Sequence, residues 1–245
     1  MTYGVGLLLK DGFVLAADTR TNAGVDHIAT FKKLHTWQVP GKCVFALATS
    51  GNLATTQSVV SLITEGTQPE KKKGEAESLF DAKTMFQAAR IVGRAVREVK
   101  KIDGAAQLQS DENFGANFLF AGQVGSERPR LFEVYSAGNF IEATSDTPYL
   151  QIGEHKYGKP ILDRVTDMDM RLGSAAKLIL ISFDSTLRSN LSVGMPIDLI
   201  AYTKDSLKFD RQMRIQRDNP YFQMLSGEWS KALRKAFAAI EEFDI

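Results

Sequence analysis

The residues of this chain best suited to chemistry lie near its start. Thr2 follows Met1 and leads straight into an apolar, β-rich run. A small second residue permits removal of Met1, which would expose Thr2 as the N-terminus. An N-terminal threonine carries a hydroxyl and a free α-amine with a reference pKa of about 7.7–8.0. Nucleophile and base then sit on one residue. Asp18 and Lys33 are the groups that could tune it. An ammonium beside a hydroxyl lowers the hydroxyl pKa, and a carboxylate keeps that ammonium charged and oriented. Ala48-Thr49-Ser50-Gly51-Asn52 adds a third feature. Its glycine lets a backbone N–H approach a carbonyl, and the free amides of a following helix start favour negative charge. An oxyanion site needs both. Each feature alone has an ordinary reading: a plain chain start, a turn aspartate, a solvated Lys32-Lys33 pair and a simple turn. Their convergence near one point carries the argument.

Other chemistries lack their signatures. The sequence has no Gly-rich phosphate loop ending in Gly-Lys-Ser/Thr, no dinucleotide fingerprint and no His-Glu-x-x-His. No Gly-x-Ser-x-Gly elbow is present. His27, His35 and His155 are scattered and read as satisfied surface or edge residues. Cys43 is the only cysteine among the 245 residues, which excludes an internal disulfide framework and a cysteine-rich metal site. It suits a reducing compartment. No cofactor and no metal are expected. Thirty Lys and Arg against 29 Asp and Glu leave a net charge of +1, unlike a dedicated nucleic-acid binder. The basic stretch Lys208 to Arg217 contains Asp210 and reads as a solvated surface. Apolar runs such as Leu178 to Phe183 fall far short of the roughly 20 residues of a membrane span. Val5 to Leu9 meets Lys10 and Asp11 too soon for a secretory signal. A soluble, cytoplasmic protein is expected.

The elements that must position these residues follow from pattern. Tyr3 to Leu9 and Phe13 to Asp18 read as strands around Asp11-Gly12, a tight-hairpin signal. That hairpin returns Asp18 to the neighbourhood of Thr2. Thr19 to Thr30 is loop-like. Lys33 to Val39 and Cys43 to Ala48 form a second strand pair around Pro40-Gly41, with Lys33 at its beginning. Leu53 to Ile63 has helical spacing, Gly66 to Gly74 is a polar loop with Lys71-Lys72-Lys73, and Glu75 to Lys101 reads as one long helix. Gly93 inside it marks a close packing contact. Strands are predicted at Asn117 to Val124, Arg130 to Tyr135 and Phe140 to Ser145. Two helices are predicted over Lys159 to Ser182, meeting near Asp167 to Asp169, with Pro160 in a first turn. Ile197 to Thr203 is a strand and Leu225 to Ile240 a closing amphipathic helix. Blocks of strands and blocks of helices imply an α+β protein. Strands apolar on both faces imply stacked sheets with helices outside. No linker interrupts the chain, so residues 1–245 are expected to form one domain.

On these residues the chain resembles the proteasome β-type subunit family. The motifs are Thr2-x-x-Val5-Gly6-Leu7, Lys10-Asp11-Gly12 through Ala17-Asp18-Thr19-Arg20, Gly24, Lys33-Leu34 and Ser50-Gly51-Asn52. Thr21-Asn22-Ala23-Gly24-Val25-Asp26 and Arg188-Ser189-Asn190-Leu191-Ser192-Val193-Gly194 extend the likeness toward the bacterial Anbu branch. The likeness is dense up to about Gln57, sparse in the middle and clear again from Leu180 to Tyr202.

The resemblance implies an N-terminal nucleophile hydrolase with a four-layer αββα sandwich. It makes Thr2 the nucleophile, with Lys33 tuning its hydroxyl, Asp18 supporting Lys33 and the Gly51 N–H stabilising the oxyanion. Thr49, Leu53 and Thr21 become the residues expected to meet substrate, and Arg20 a structural arginine near the site. Ser192 matches the family's following serine. Ser189 stands where the family carries an aspartate that helps hold the N-terminal amine. The family's Gly-Ser turn is replaced by Gly153-Glu154-His155, so Glu154 is a candidate for the missing carboxylate. The implied substrate is a peptide or unfolded protein, processed within a ring or spiral of identical subunits. An ATP-driven unfoldase is typical of closed relatives, but no residue here identifies one. Two other readings stay open: a non-catalytic or weakly active assembly subunit, and an amidase for a special amide linkage.

Overall fold

The computed structural model describes residues 2–22, 28–66, 78–108 and 115–245. Met1, Gly24, Val25, Asp26, His27, the polar loop from residue 67 with Lys71 to Lys73, and Glu75 lie outside the described residues.

Two five-stranded antiparallel sheets carry the chain. The first contains β1 (Tyr3–Leu9), β2 (Gly12–Asp18), β10 (Tyr149–Gly153), β11 (Ile197–Thr203) and β12 (Gln212–Ile215), in the order β10-β1-β2-β11-β12. The second runs β5 (Leu34–Val39), β6 (Cys43–Gly51), β7 (Ala116–Val124), β8 (Arg130–Val134) and β9 (Phe140–Glu142) in sequence order. Every residue of β1 and β2 is buried. Alternation explains why: successive side chains leave opposite faces of a strand. Leu8, Phe13, Leu15 and Ala17 meet Val44, Ala46, Leu119 and Leu131 of the second sheet. Val5, Leu7, Val14 and Ala16 turn the other way, onto α4 (Leu172–Ser189) with Leu178, Ile179 and Phe183. On the second sheet Phe45, Phe118 and Phe132 face α1 (Leu53–Glu65) and α2 (Met85–Leu108). A strand with both faces covered has no polar face to show, hence its unbroken apolar sequence.

Several element boundaries differ from expectation. Thr19 to Thr30 is not all loop: β3 (Arg20–Asn22) pairs with β4 (Ile28–Thr30). The long helix does not start near Glu75. Ser78 caps a short 3-10 turn over Leu79–Asp81, and α2 begins only at Met85, whose amide donates to Glu127 on the turn between β7 and β8 at 2.6 Å. Helix α2 then runs past Lys101 to Leu108. Gly93 is a packing contact as expected, since a Cβ there would stand 2.3 Å from the Gly138 carbonyl oxygen. Part of the basic stretch from Lys208 is strand β12, held at the sheet edge by Arg214 forking onto Asp198 at 2.7 and 2.8 Å. Helix α5 (Pro220–Ala238) starts earlier than Leu225, because Asn219 caps it through the Phe222 amide at 3.0 Å. Helix α3 (Lys159–Val165) falls within the predicted helical stretch, but α4 runs seven residues past its expected end at Ser182, to Ser189. Among the described residues, no helix is long and apolar enough to cross a membrane.

Candidate active site

The site forms where one end of the first sheet meets the start of β5 in the second. Gly4 pairs with Ala17, so the same register brings Asp18 opposite Tyr3, one residue from Thr2. On the other side of β1, Tyr3 pairs with Gly153, which brings Glu154 beside Thr2. The Glu154 amide donates to the Thr2 carbonyl at 2.7 Å. Thr2 thus has an acidic residue on each side, Glu154 touching it through the backbone.

Lys33 enters from the second sheet, where the Thr49 amide donates to its carbonyl at 2.9 Å. Its Nζ lies 2.8 Å from Thr2 Oγ1 and 2.9 Å from Asp18 Oδ1, and it also donates to the Arg20 carbonyl. Thr2, Asp18 and Lys33 are all buried. The Asp18 carboxylate further accepts from the Tyr3 amide at 3.1 Å and the Gly194 amide at 3.2 Å. Burial pushes the Asp18 carboxyl above its ordinary range, against the pull of Lys33 and both amides. Burial likewise pushes the Lys33 ammonium below its ordinary value, against the pull of Asp18. Asp18 and the Arg20 carbonyl can only accept, so Lys33 must donate to both. Its third position faces a hydroxyl, which can accept from an ammonium or donate to a neutral amine. Lys33 can therefore exchange a proton with Thr2 without any side chain moving.

Gly51 ends β6 with φ of +108°, and a Cβ there would fall 1.9 Å from the Gly115 carbonyl oxygen, so only glycine fits. It is exposed, and Asn52 next to it caps α1 through the Thr55 amide at 3.1 Å. Thr49 is buried on the β6 face shared by Phe45 and Leu47, and Leu53 opens α1 beside it. Thr21 follows Arg20 on β3, its Oγ1 enclosed and without a hydrogen-bond partner among the described residues. Arg20 braces the turn after α4 by donating to the Leu191 carbonyl at 2.8 Å.

The serines of the second motif sit elsewhere. Ser189 is exposed on the last turn of α4, so the structure does not bring it to Thr2. Ser192 is half-buried on the following turn, its amide donating to Asn190 Oδ1 at 2.8 Å and its hydroxyl bonded to neither Thr2 nor Asp18. Two residues of that motif that sequence reasoning did not single out do reach the site. Gly194 caps Asp18, and Asn190 Nδ2 donates to Glu154 Oε2 at 2.9 Å. An amide side chain one residue after Ser189 was the only signal available. Glu154 is buried beside the Thr2 backbone, where Ser189 is not.

A proteasome subunit family model matches residues 2–200, starting at Thr2 itself. The chain belongs to the proteasome subunit family. Among solved members, an Anbu (Gly-1) mutant from Hyphomicrobium sp. strain MC1 is 59% identical over 100% of both chains, with a TM-score of 0.91. Anbu, the ancestral beta-subunit, from Yersinia bercovieri is 46% identical over 99% of both, with a TM-score of 0.90. The helical assembly of the Anbu complex from Pseudomonas aeruginosa is 42% identical over 99% of this chain and 98% of that one, also at 0.90. No curated protein matches. The family membership agrees with the resemblance drawn from Thr2, Asp18, Lys33 and Ser50-Gly51-Asn52, and the similarity to Anbu proteins spans the middle of the chain as well.

Proposed function

We propose that this chain is an N-terminal threonine hydrolase of the proteasome type, a single αββα domain that cleaves peptide bonds inside a cytoplasmic homo-oligomer. The observation that carries the reading is Lys33 Nζ at 2.8 Å from Thr2 Oγ1 and 2.9 Å from Asp18, all three buried. A buried lysine and aspartate around a hydroxyl are costly to keep and serve packing poorly. Removal of Met1 frees the Thr2 α-amine. Thr2 Oγ then attacks the carbonyl carbon while the amine takes the hydroxyl proton. The Gly51 N–H faces the developing oxyanion. The C–N bond breaks, the leaving amine departs with that proton, and an ester on Thr2 remains. Water, deprotonated by the same amine, adds to the ester and releases the acid. Lys33 stabilises the Thr2 oxygen through both steps, and Asp18 holds Lys33. Thr21, Thr49 and Leu53 flank the acyl side of the substrate; Thr49 is small and uncharged, so no charged preference arises there.

The helical assembly of the Pseudomonas aeruginosa relative supports head-to-tail association. A heterologous interface closes into a ring or climbs into a spiral, according to the rotation per subunit. Intact mass after incubation with a threonine-directed electrophile tests the reading. Loss of Met1 plus one adduct, absent in Thr2→Ala, is the expected result. Retained Met1 with no adduct would replace it with a non-catalytic assembly subunit. A panel of peptides and simple amides separates peptidase from amidase.

A further inference from the structure

A cleft of about 440 Å³, lined by none of Thr21, Thr49 and Leu53, opens between the two sheets. Asn117, Glu133, Gln151, Gly153, His155 and Lys159 are among its lining residues. It reaches the Thr2 backbone through Gly153. Gly153 has φ of +77°, and a Cβ there would stand 1.9 Å from the Thr2 carbonyl oxygen and 2.9 Å from Ser50 Oγ. Asn117 pairs in register with Ser50, one residue from Gly51.

Glu133 gives the cleft its chemistry. Leu131 faces the inter-sheet core, while Phe132 and Val134 face the helices. Period two then turns Glu133 inward with Leu131, across from Leu119. It is half-buried, and no hydrogen bond or ion pair reaches its carboxylate among the described residues. Burial pushes that carboxyl above its ordinary range, with His155 as the charge that pulls it back. The other charges of the cleft are answered. Lys159 lies 2.9 Å from Asp163 and 2.9 Å from the Tyr149 hydroxyl. The His155 ring meets the Gly153 carbonyl through Nδ1 at 3.2 Å. Glu133 is left as a partly desolvated anion facing a space large enough for a side chain. A half-buried carboxylate without a partner is costly, and a cation supplied by a ligand removes that cost.

We propose that this cleft receives the leaving-amine side of the substrate and that Glu133 selects a cationic side chain there, as on a lysine or arginine that follows the bond to be cut. The inference rests on Thr2 as nucleophile for its orientation, while the cleft can be tested by itself. Lysinamide and norleucinamide differ only in the terminal ammonium of the side chain. In calorimetric titrations of the Met1-processed protein, lysinamide is expected to bind about tenfold more tightly than norleucinamide. The same ratio should appear as protection of Thr2 from the electrophile. In Glu133→Gln, which keeps the shape and removes the charge, both ratios should fall to about one. Equal binding of the two amides to the unaltered protein overturns the proposal, whatever the variant does. A tenfold ratio that persists in Glu133→Gln also overturns it, because another group then reads the charge. The two readings separate cleanly. Selective binding with no Thr2 adduct keeps the cleft and removes the hydrolase, and an adduct with unselective binding does the reverse.

Discussion

Thr2 stands between two acidic residues that the fold holds in different ways. Asp18 ends a fully buried strand, is itself fully buried, and receives Lys33, the Tyr3 amide and the Gly194 amide. Glu154 lies on the turn after β10 and receives the Asn190 side chain at 2.9 Å and the Lys156 amide at 3.4 Å. Asp18 faces a cation, and Glu154 faces only amides. The acid paired with Lys33 is fixed by strand register. The group beside the N-terminal residue hangs on turns, where sequence changes at little structural cost. On that second side Glu154 lies against the Thr2 backbone, while Ser189, at the position where the resemblance expects an acid, is exposed on the last turn of α4.

The strongest way to break this contrast is Lys33→Ala. If the strand side carries the chemistry, adduct formation on Thr2 should slow by about 10³-fold, in the range lost when a group that stabilises developing negative charge is removed. Timed intact-mass measurements would show it, and a rate within tenfold of the unaltered protein would move the chemistry elsewhere. Asp18→Asn tests how the same side is held together. It leaves Lys33 without its anion in a buried place, so urea unfolding should report a loss of about 3 kcal/mol. A variant as stable as the unaltered chain would mean that the amide and carbonyl partners suffice.

The strand side was also the side that could be read from sequence. The hairpin falls where Asp11-Gly12 signalled it, although Lys10 and Asp11 make the turn and Gly12 already pairs with Leu9. The register then returns Asp18 to Tyr3, next to Thr2. Unbroken apolar runs in β1 and β2 showed that both faces are covered. What stayed hidden depends on partners distant in the chain. The start of α2 is set by Glu127, 42 residues away from Met85. Strands β3 and β4 have three residues each, too few for alternation to register. Gln212–Ile215 is exposed at three of its four positions, so its pairing with β11 left no apolar pattern. Asn190 reaches Glu154 across 36 residues, and no local signal announces such a pair.

His35 offers a sharper look at the strand side, two residues along from Lys33. Burial, helped by the nearby Lys32 charge, holds its imidazole down to about 4 from an ordinary 6.5. The unfolded chain therefore takes up this proton first as the pH falls. The stability that neutral His35 contributes is complete above pH 6.5 and drains away between pH 6.5 and 4. The loss is bounded at about 3 kcal/mol. Unfolding curves at pH 7 and pH 4.5 should show this decline, and His35→Gln should flatten it. An equal decline in the variant would assign the effect to other groups.

The smallest effects belong to the turn side, and they decide between two residues. If Glu154 orients the N-terminal amine through its place beside the Thr2 backbone, Glu154→Gln should slow adduct formation by about tenfold, the cost of one weakened charge-assisted hydrogen bond. Asn190→Ala should act in the same direction, because it frees the Glu154 side chain. Ser189→Ala should change the rate by less than about twofold, as expected for an exposed side chain away from the reacting groups. The opposite order, with Ser189→Ala slow and Glu154→Gln unchanged, would require the last turn of α4 to reach Thr2 in the working enzyme. The contrast drawn above would then fail, since the second carboxylate would be a bystander. With the expected order, the acid role has passed from the end of α4 to the turn after β10. It did so while the Asp18–Lys33 pair kept its place, because a turn can change its residues without disturbing the register that builds the rest of the site.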